Sequence, residues 1–190
     1  MRPARGAPVF FVARCAPIHP VCPMTPVTLE LLLAQADQTH LIRNLYQFYA
    51  YETSDWEQED VDADGCFYIH EEYLARYWQE PDWSAQLVVV EGCIAGFVLI
   101  ERSEVPGIDA LEFADLFILK KYRRQGIGRA VALHALGDTR HSWLVRFHQQ
   151  DDVAQAFWQS VVEELPRPSR EIELPDDPTL VNFLVTSALH

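Results

Sequence analysis

The segment 116–130 joins an apolar run to a helix-forming stretch through a short turn that contains two glycines. The apolar run occupies residues 116–119, and the glycines are Gly126 and Gly128. The cationic residues of this segment are Lys120, Lys121, Arg123, Arg124 and Arg129. Glycine allows positive φ and close approach to a ligand, and the N–H groups at a helix N-terminus suit an anion such as phosphate. In a chain of net charge −13, the segment predicts a strand, a sharp turn and a helix that together bind an anionic ligand.

The spacing of the glycines excludes two common phosphate-binding motifs. A dinucleotide-binding turn needs glycine or alanine where this chain has Val131, and the chain contains no G-x-x-x-x-G-K-[ST] sequence. What remains is R-x-x-G-x-G, formed by Arg123, Gly126 and Gly128. This pattern resembles the [Q/R]-x-x-G-x-[G/A] signature of the GNAT superfamily of N-acetyltransferases. A Gly-Phe pair at Gly96 in a predicted hairpin is also typical of that family, and the resemblance covers roughly residues 27–186.

Periodicity and the resemblance together predict the fold. The predicted strands are 27–33, 87–90, 93–100, 116–119, 143–147 and 180–186, and the predicted helices are 38–51, 71–79, 128–136 and 151–162. The expected fold is a single α/β (α+β) GNAT-like domain at 24–190. Its mixed central sheet of about six to seven strands is flanked by helices, with splayed strands around the cofactor. Residues 1–23 contain no acidic residue and are rich in proline and arginine, so we interpret them as a disordered or adventitious extension.

The resemblance implies acetyl-CoA as co-substrate. It implies that backbone groups at the end of the strand before the turn pair with the pantetheine arm. It also implies that turn N–H groups, with arginine side chains, hold the pyrophosphate. The cofactor-binding residues expected on this basis are Phe117, Ile118, Lys120, Arg123, Arg124, Gln125, Gly126, Ile127, Gly128, Arg129, Asp151 and Phe157.

Transfer to an amine usually needs a general base, because amines are protonated at neutral pH. In the family, carboxylates on the strand before the turn supply it, which makes Asp115 the first candidate and Glu112 the second. The two residues are three apart and face opposite sides of a regular strand. Only one of them can therefore point into the cleft unless a bulge intervenes.

The general acid is left open. The family pattern N-x-x-A-x-x-[F/L]-Y aligns with Asp151, Ala154, Phe157 and Trp158, so tryptophan stands where a tyrosine is usual. Indole cannot supply an acidic proton, and we expect Trp158 to lie in the core. Water or a tyrosine from elsewhere could serve instead; the candidates are Tyr46, Tyr49 and Tyr51.

Residues 60–71 satisfy a second motif, the calcium loop D-x-D-x-D-G-x5-E. The matching residues are Asp60, Asp62, Asp64, Gly65 and Glu71. Such loops normally occur in pairs, and this one is single and carries bulky residues at Phe67 and Tyr68. We expect an acidic loop that faces solvent or a cationic acceptor, without tight Ca²⁺ binding. The histidines His134, His141 and His148 also lack the spacing of a metal site.

The sequence thus predicts an acetyl-CoA-dependent N-acetyltransferase that acts on a primary amine of a small molecule or peptide. The alternatives are a non-catalytic acyl-CoA-binding or sensing module and a Ca²⁺-regulated domain that uses residues 60–71. The acidic net charge argues against nucleic acid and favours a cationic acceptor. No apolar run approaches the ~20 residues of a membrane span, and the four cysteines are interpreted as reduced thiols of a cytoplasmic protein. A homodimer is left open.

Overall fold

The computed structural model describes residues 9–13, 27–175 and 177–187. Within them one mixed sheet contains eight strands: β1 (Val9–Ala13), β2 (Val27–Leu33), β3 (Ser84–Val90), β4 (Cys93–Arg102), β5 (Leu111–Ile118), β6 (Trp143–His148), β7 (Ser169–Ile172) and β8 (Leu180–Val185). The strands lie in the order β1-β2-β3-β4-β5-β6-β8-β7. The pair β5–β6 is parallel and every other pair is antiparallel.

Helices cover both faces of the sheet. They are α1 (Thr39–Glu57), α2 (Glu71–Ala75), α3 (Ile127–Leu136) and α4 (Asp152–Glu164). Side chains of α1 and α2 share one core cluster with Phe97 and Leu99 of β4. Side chains of α3 and α4 share the other cluster with Phe113 and Val145. The predicted α/β class, mixed sheet and flanking helices are confirmed. None of the helices in the described ranges has both the length and the apolar character that a membrane crossing requires.

The two ends of the sheet differ from the sequence expectation. Residues 9–13 belong to the predicted N-terminal extension, yet they form β1 and pair with β2. The rest of that extension, 1–8 and 14–23, lies outside the described residues, and the domain start at 24 stays a prediction. The proline-rich tail also contains β7, which pairs with β8 and which the sequence pattern did not indicate.

Gly96 lies where β4 and β5 approach each other closely. A Cβ atom at this position would overlap the carbonyl oxygen of Phe117 and stand 3.0 Å from its carbonyl carbon. Backbone atoms within a paired strand cannot move aside, so glycine is the residue that this contact requires. The Gly-Phe pair in the sequence therefore reflects a steric demand of the sheet.

A β-bulge in β5 decides the direction of two carboxylates. Leu99 is paired with Asp115 and the next β4 residue, Ile100, with Phe113, so Ala114 is the extra residue. Beyond the bulge Glu112 is paired with Glu101. Cross-strand partners share a face, and Leu99 and Glu101 are two apart in β4. Asp115 and Glu112 consequently lie on the same face of the sheet.

Strands β5 and β6 are paired only at their beginnings. Leu111, Glu112 and Phe113 are paired with residues 143–145, and the pairing with β6 ends there. The divergence starts beside the bulge at Ala114, and bulges bend a strand and increase its twist. The predicted splay of the strands is thus present.

We predict that Gly96→Ala destabilises the protein by about 2–4 kcal/mol, because the new methyl group collides with the Phe117 carbonyl. Urea unfolding followed by circular dichroism measures this. Gly128→Ala is the matched control, since its Cβ would meet its nearest neighbours at 3.6 Å, an ordinary contact. Equal stability of the two variants would contradict the prediction.

Candidate active site

The open edge of β5 presents backbone groups toward the gap left by β6. Leu119 donates its N–H to Ala95 of the β4 side. Because backbone groups alternate in direction along a strand, Phe117 also points to β4, whereas Leu116 and Ile118 point into the gap. The alternation favours Leu116 and the N–H of Ile118 for pairing with an extended ligand, because the Ile118 carbonyl already accepts Nε of Arg123. Leu116 takes the place that the sequence analysis gave to Phe117. The Phe117 side chain lies buried in the core.

The turn after β5 is shaped as an anion-binding loop. Arg124 and Gly126 both adopt left-handed conformations, with φ of 61° and 78°, and Gly126 is the N-cap of α3. The first N–H that bonds back within this helix is that of Ala130, to the Gly126 carbonyl. The N–H groups from Ile127 to Arg129 therefore remain available at the positive end of the helix. Gly128 faces Ile118 and Phe157, at the side where α3 meets α4.

The Arg123 side chain joins the turn to the end of β5 and to α1. Its Nε donates to the Ile118 carbonyl at 2.5 Å, and its Nη2 contacts Glu52 of α1 at 2.6 Å. Lys120 lies 3.9 Å from the same Glu52, and Gln125 donates to the Lys121 carbonyl. These contacts engage the side chains of Arg123, Lys120 and Gln125 within the protein, and their predicted role in binding the cofactor stays a prediction.

Two other predicted cofactor residues also make contacts within the protein. Arg129 forms an ion pair with Glu164 and a hydrogen bond with Ser160, which joins α3 to α4. Asp151 is the N-cap of α4 and accepts the N–H of Ala154 at 2.8 Å. Both side chains thus have a structural role in holding the helix pair beside the gap.

A cavity of about 480 Å³ lies on the α1/α2 face of the sheet. One wall is α1, the opposite wall is the segment 68–70 with α2, and the floor is Leu99 with Asp115. The polar and aromatic residues of its lining are Tyr46, Tyr49, Thr53, Glu57, Glu59, Tyr68, His70, Tyr73, Tyr77 and Asp115. Pockets of this size suit small molecules.

Asp115 is the carboxylate on the cavity floor. Burial raises the pKa of Asp115 to about 6; a hydrogen bond from Tyr49 opposes the rise and the charge of Glu101 adds to it. A carboxyl group with this pKa is mostly ionised at neutral pH and is a stronger base than an ordinary aspartate. The position and the pKa both suit a general base.

Glu112 shares a face with Asp115 but does not line the cavity. It is buried, and its Oε1 lies 3.8 Å from Nη1 of Arg146 on β6. Arg146 in turn donates to the amide oxygen of Asn182 on β8. Glu112 is therefore part of an ion pair that links β5, β6 and β8.

The three tyrosines considered as general acids differ in whether they line the cavity. Tyr46 and Tyr49 line the cavity, whereas the Tyr51 side chain is 66% exposed and outside it. The pKa of Tyr46 is raised well above its ordinary value, chiefly by the charge of Asp115 and then by burial. Trp158 is buried against Phe113, with ring centroids 5.1 Å apart, as the sequence analysis expected.

Glu101 is a site residue that the sequence reasoning missed. Its carboxylate accepts hydrogen bonds from the hydroxyls of Tyr73 and Tyr77 under the cavity. Burial raises the pKa of Glu101, and these two hydrogen bonds oppose the rise. The available signal was a charged residue at the end of the otherwise apolar stretch of β4.

The end of the acidic loop lines the cavity through Tyr68, Ile69 and His70. Gln47 exchanges two hydrogen bonds with the backbone of Phe67, which ties the loop to α1. Glu71, the last ligand of the calcium motif, contacts Arg43 at 2.8 Å. Across 27–175 and 177–187 no three His, Cys, Asp or Glu side chains converge as metal ligands.

A sheet that opens beside a helix N-terminus, with a carboxylate-floored cavity alongside, defines an acyltransferase fold. The chain belongs to the acetyltransferase (GNAT) family, whose model matches residues 40–161. It is therefore an N-acetyltransferase of a family that binds acetyl-CoA, and the predicted family is confirmed. No curated protein sequence matches the chain.

Solved structures share the fold at low identity. An acetyltransferase from Thermus thermophilus has a TM-score of 0.59 at 15% identity, over 82% of this chain and 95% of that one. The ribosomal-protein-S18-alanine N-acetyltransferase from Escherichia coli has a TM-score of 0.56 at 12% identity, over 85% of this chain and 96% of that one. A diaminobutyrate acetyltransferase from Paenibacillus lautus was solved in complex with L-2,4-diaminobutyric acid and coenzyme A. It has a TM-score of 0.56 at 16% identity, over 85% of this chain and 96% of that one.

We predict that Gly126→Val weakens acetyl-CoA binding about tenfold or more, measured by calorimetry. A β-branched residue is strained at φ 78°, so the turn and its N–H groups must shift. Gly128→Ala is the control and should bind nearly as wild type, because its Cβ makes ordinary contacts only. A folded Gly126→Val protein with unchanged affinity would refute the role of the turn.

We predict that residues 60–71 do not bind Ca²⁺ tightly, because Glu71 is paired with Arg43 and the carboxylates do not converge. Calcium titration followed by calorimetry and tryptophan fluorescence tests this. Saturable micromolar binding that disappears in Asp60→Ala and Glu71→Ala would show the opposite.

Proposed function

We propose that the protein transfers the acetyl group of acetyl-CoA to a primary amine of a small molecule or peptide bound in the cavity. The observation that carries this proposal is the Asp115 carboxylate, which lies on the cavity floor in the strand that opens toward the cofactor gap. The family membership supplies the co-substrate, an acetyl thioester whose carbonyl carbon is attacked by the amine.

The residues around the gap fit such a ligand. Leu116 and the N–H of Ile118 offer backbone groups that β6 does not pair, and an extended arm can pair with them as a further strand would. The N–H groups from Ile127 to Arg129 suit the pyrophosphate. A backbone N–H directed at the thioester oxygen would stabilise the negative charge that develops there.

Asp115 then removes a proton from the ammonium group of the acceptor, directly or through one water. Only the neutral amine carries a lone pair that can form the new bond. Proton removal by a positioned base typically contributes about 10²–10⁴-fold in rate. The raised pKa of Asp115 brings its basicity closer to neutral pH, where such a base is most effective.

The departing sulfur requires a proton, and Trp158 cannot supply one. Tyr46 and Tyr49 both have a pKa above the ordinary value and stay protonated at neutral pH. The same raised pKa makes both phenols weak acids, so water is the better candidate proton donor. A non-catalytic acyl-CoA-binding module is the alternative that Trp158 favours, and it predicts cofactor binding without turnover.

We predict that Asp115→Asn lowers kcat by about 10²-fold at neutral pH, because the amide keeps the shape of the side chain without its basicity. In the wild type, Asp115 becomes protonated as the pH falls through about 6. The rate should therefore fall more steeply below that pH, and this inflection near pH 6 should be absent from the variant. Raising the pH should partly restore the variant, since more amine is already neutral.

The matched control is Glu112→Gln, which removes a carboxylate from the same strand and face but outside the cavity. Its effect on kcat should be milder, and acetyl-CoA affinity should barely change in Asp115→Asn. Normal turnover by Asp115→Asn together with a loss in Glu112→Gln would reverse the two roles. Normal turnover by both would mean that solvent takes the proton.

A further inference from the structure

We propose that the acceptor is an aliphatic diamine or polyamine whose second ammonium group binds at the mouth of the cavity, between Glu57 and Glu59. This inference rests on the proposed function and names its substrate class. The charge of the cavity lining, its aromatic walls and the distance between its two anionic ends all favour such a molecule.

The lining of the cavity is acidic. Asp115 lies on the floor, and Glu57 and Glu59 lie at the exposed mouth, where α1 ends. Among the described residues no lysine or arginine lines the cavity. The last turn of α1 also lacks a basic residue, so the negative end of its dipole adds to the field of the two glutamates.

His70 is held by the protein itself, because its Nδ1 accepts the N–H of Tyr73 as the N-cap of α2. Glu101, beneath the floor, places a further buried carboxylate close to the cavity.

The walls between the two anionic ends are aromatic. Tyr46 and Tyr49 of α1 form an edge-to-face pair with centroids 5.3 Å apart. On the opposite wall the His70 ring lies between those of Tyr68 and Tyr73, at 6.4 Å from each. Aromatic faces accept methylene groups and attract cations. An alkyl chain with an ammonium at each end matches such a surface, whereas a carboxylate-bearing acceptor does not.

The separation of the two ends sets the length of the acceptor. Tyr49, which lines the cavity together with Asp115, and Glu57 are eight residues apart on α1, so their backbones are about 12 Å apart along the helix axis. An acceptor with its reacting nitrogen at Asp115 therefore needs a second cation several methylenes away. A monoamine can fill only the floor of this cavity.

The test compares α,ω-diaminoalkanes, from diaminopropane to diaminodecane, with the n-alkylamine of the same chain length. We expect kcat/KM to favour the diamine by about tenfold for the longer members, mostly through KM, because exposed ion pairs and cation–π contacts are individually modest. In the double variant Glu57→Gln/Glu59→Gln this ratio should fall to about one.

The matched control is Asp55→Asn/Glu72→Gln, which removes the same charge from α1 and α2 outside the cavity and should keep the ratio. Equal turnover of monoamines and diamines by the wild type would overturn the inference and leave the proposed function standing. A ratio that survives in Glu57→Gln/Glu59→Gln would also overturn it. Acetyl-CoA binding without turnover of any amine would overturn both.

Discussion

The parting of β5 from β6 after Phe113 is the constraint on which the site depends. It gives one short strand two functions at once. The backbone edge of Leu116 and Ile118 is released toward the gap, while the Asp115 side chain on the same strand reaches the cavity on the α1/α2 face. Because edge and face of a strand are perpendicular, the cofactor and the acceptor can approach the same point without competing for space.

The three carboxylates of this face differ in how they are neutralised. Glu101 accepts two tyrosine hydroxyls, and Glu112 lies against Arg146. Asp115 lines the cavity, and burial raises its pKa to about 6. Position thus separates the two structural carboxylates from the one that is suited to proton transfer.

The sequence contained the local signals of this fold but not its long-range contacts. Gly96 and Gly126 were recognisable because the first leaves no room for a Cβ atom and the second adopts the left-handed conformation that glycine favours. The bulge was not recognisable, since Ala114 is an ordinary residue within an apolar strand. Without it Asp115 and Glu112 were expected on opposite faces. The roles of Arg123 and Glu71 also escaped prediction, because Glu52 and Arg43 are distant from them in sequence.

Helix α1 connects the two halves of the site. Tyr49 contacts Asp115 on the cavity side, and Glu52, one turn further along, holds Arg123 of the turn after β5. Residues three apart lie on neighbouring parts of a helix surface, so the acceptor wall and the anion-binding turn are fixed to the same rigid element. Any displacement of α1 changes both sites together. The Arg123–Glu52 contact therefore aligns the turn with the cavity, and the part of Arg123 in binding the cofactor stays a prediction.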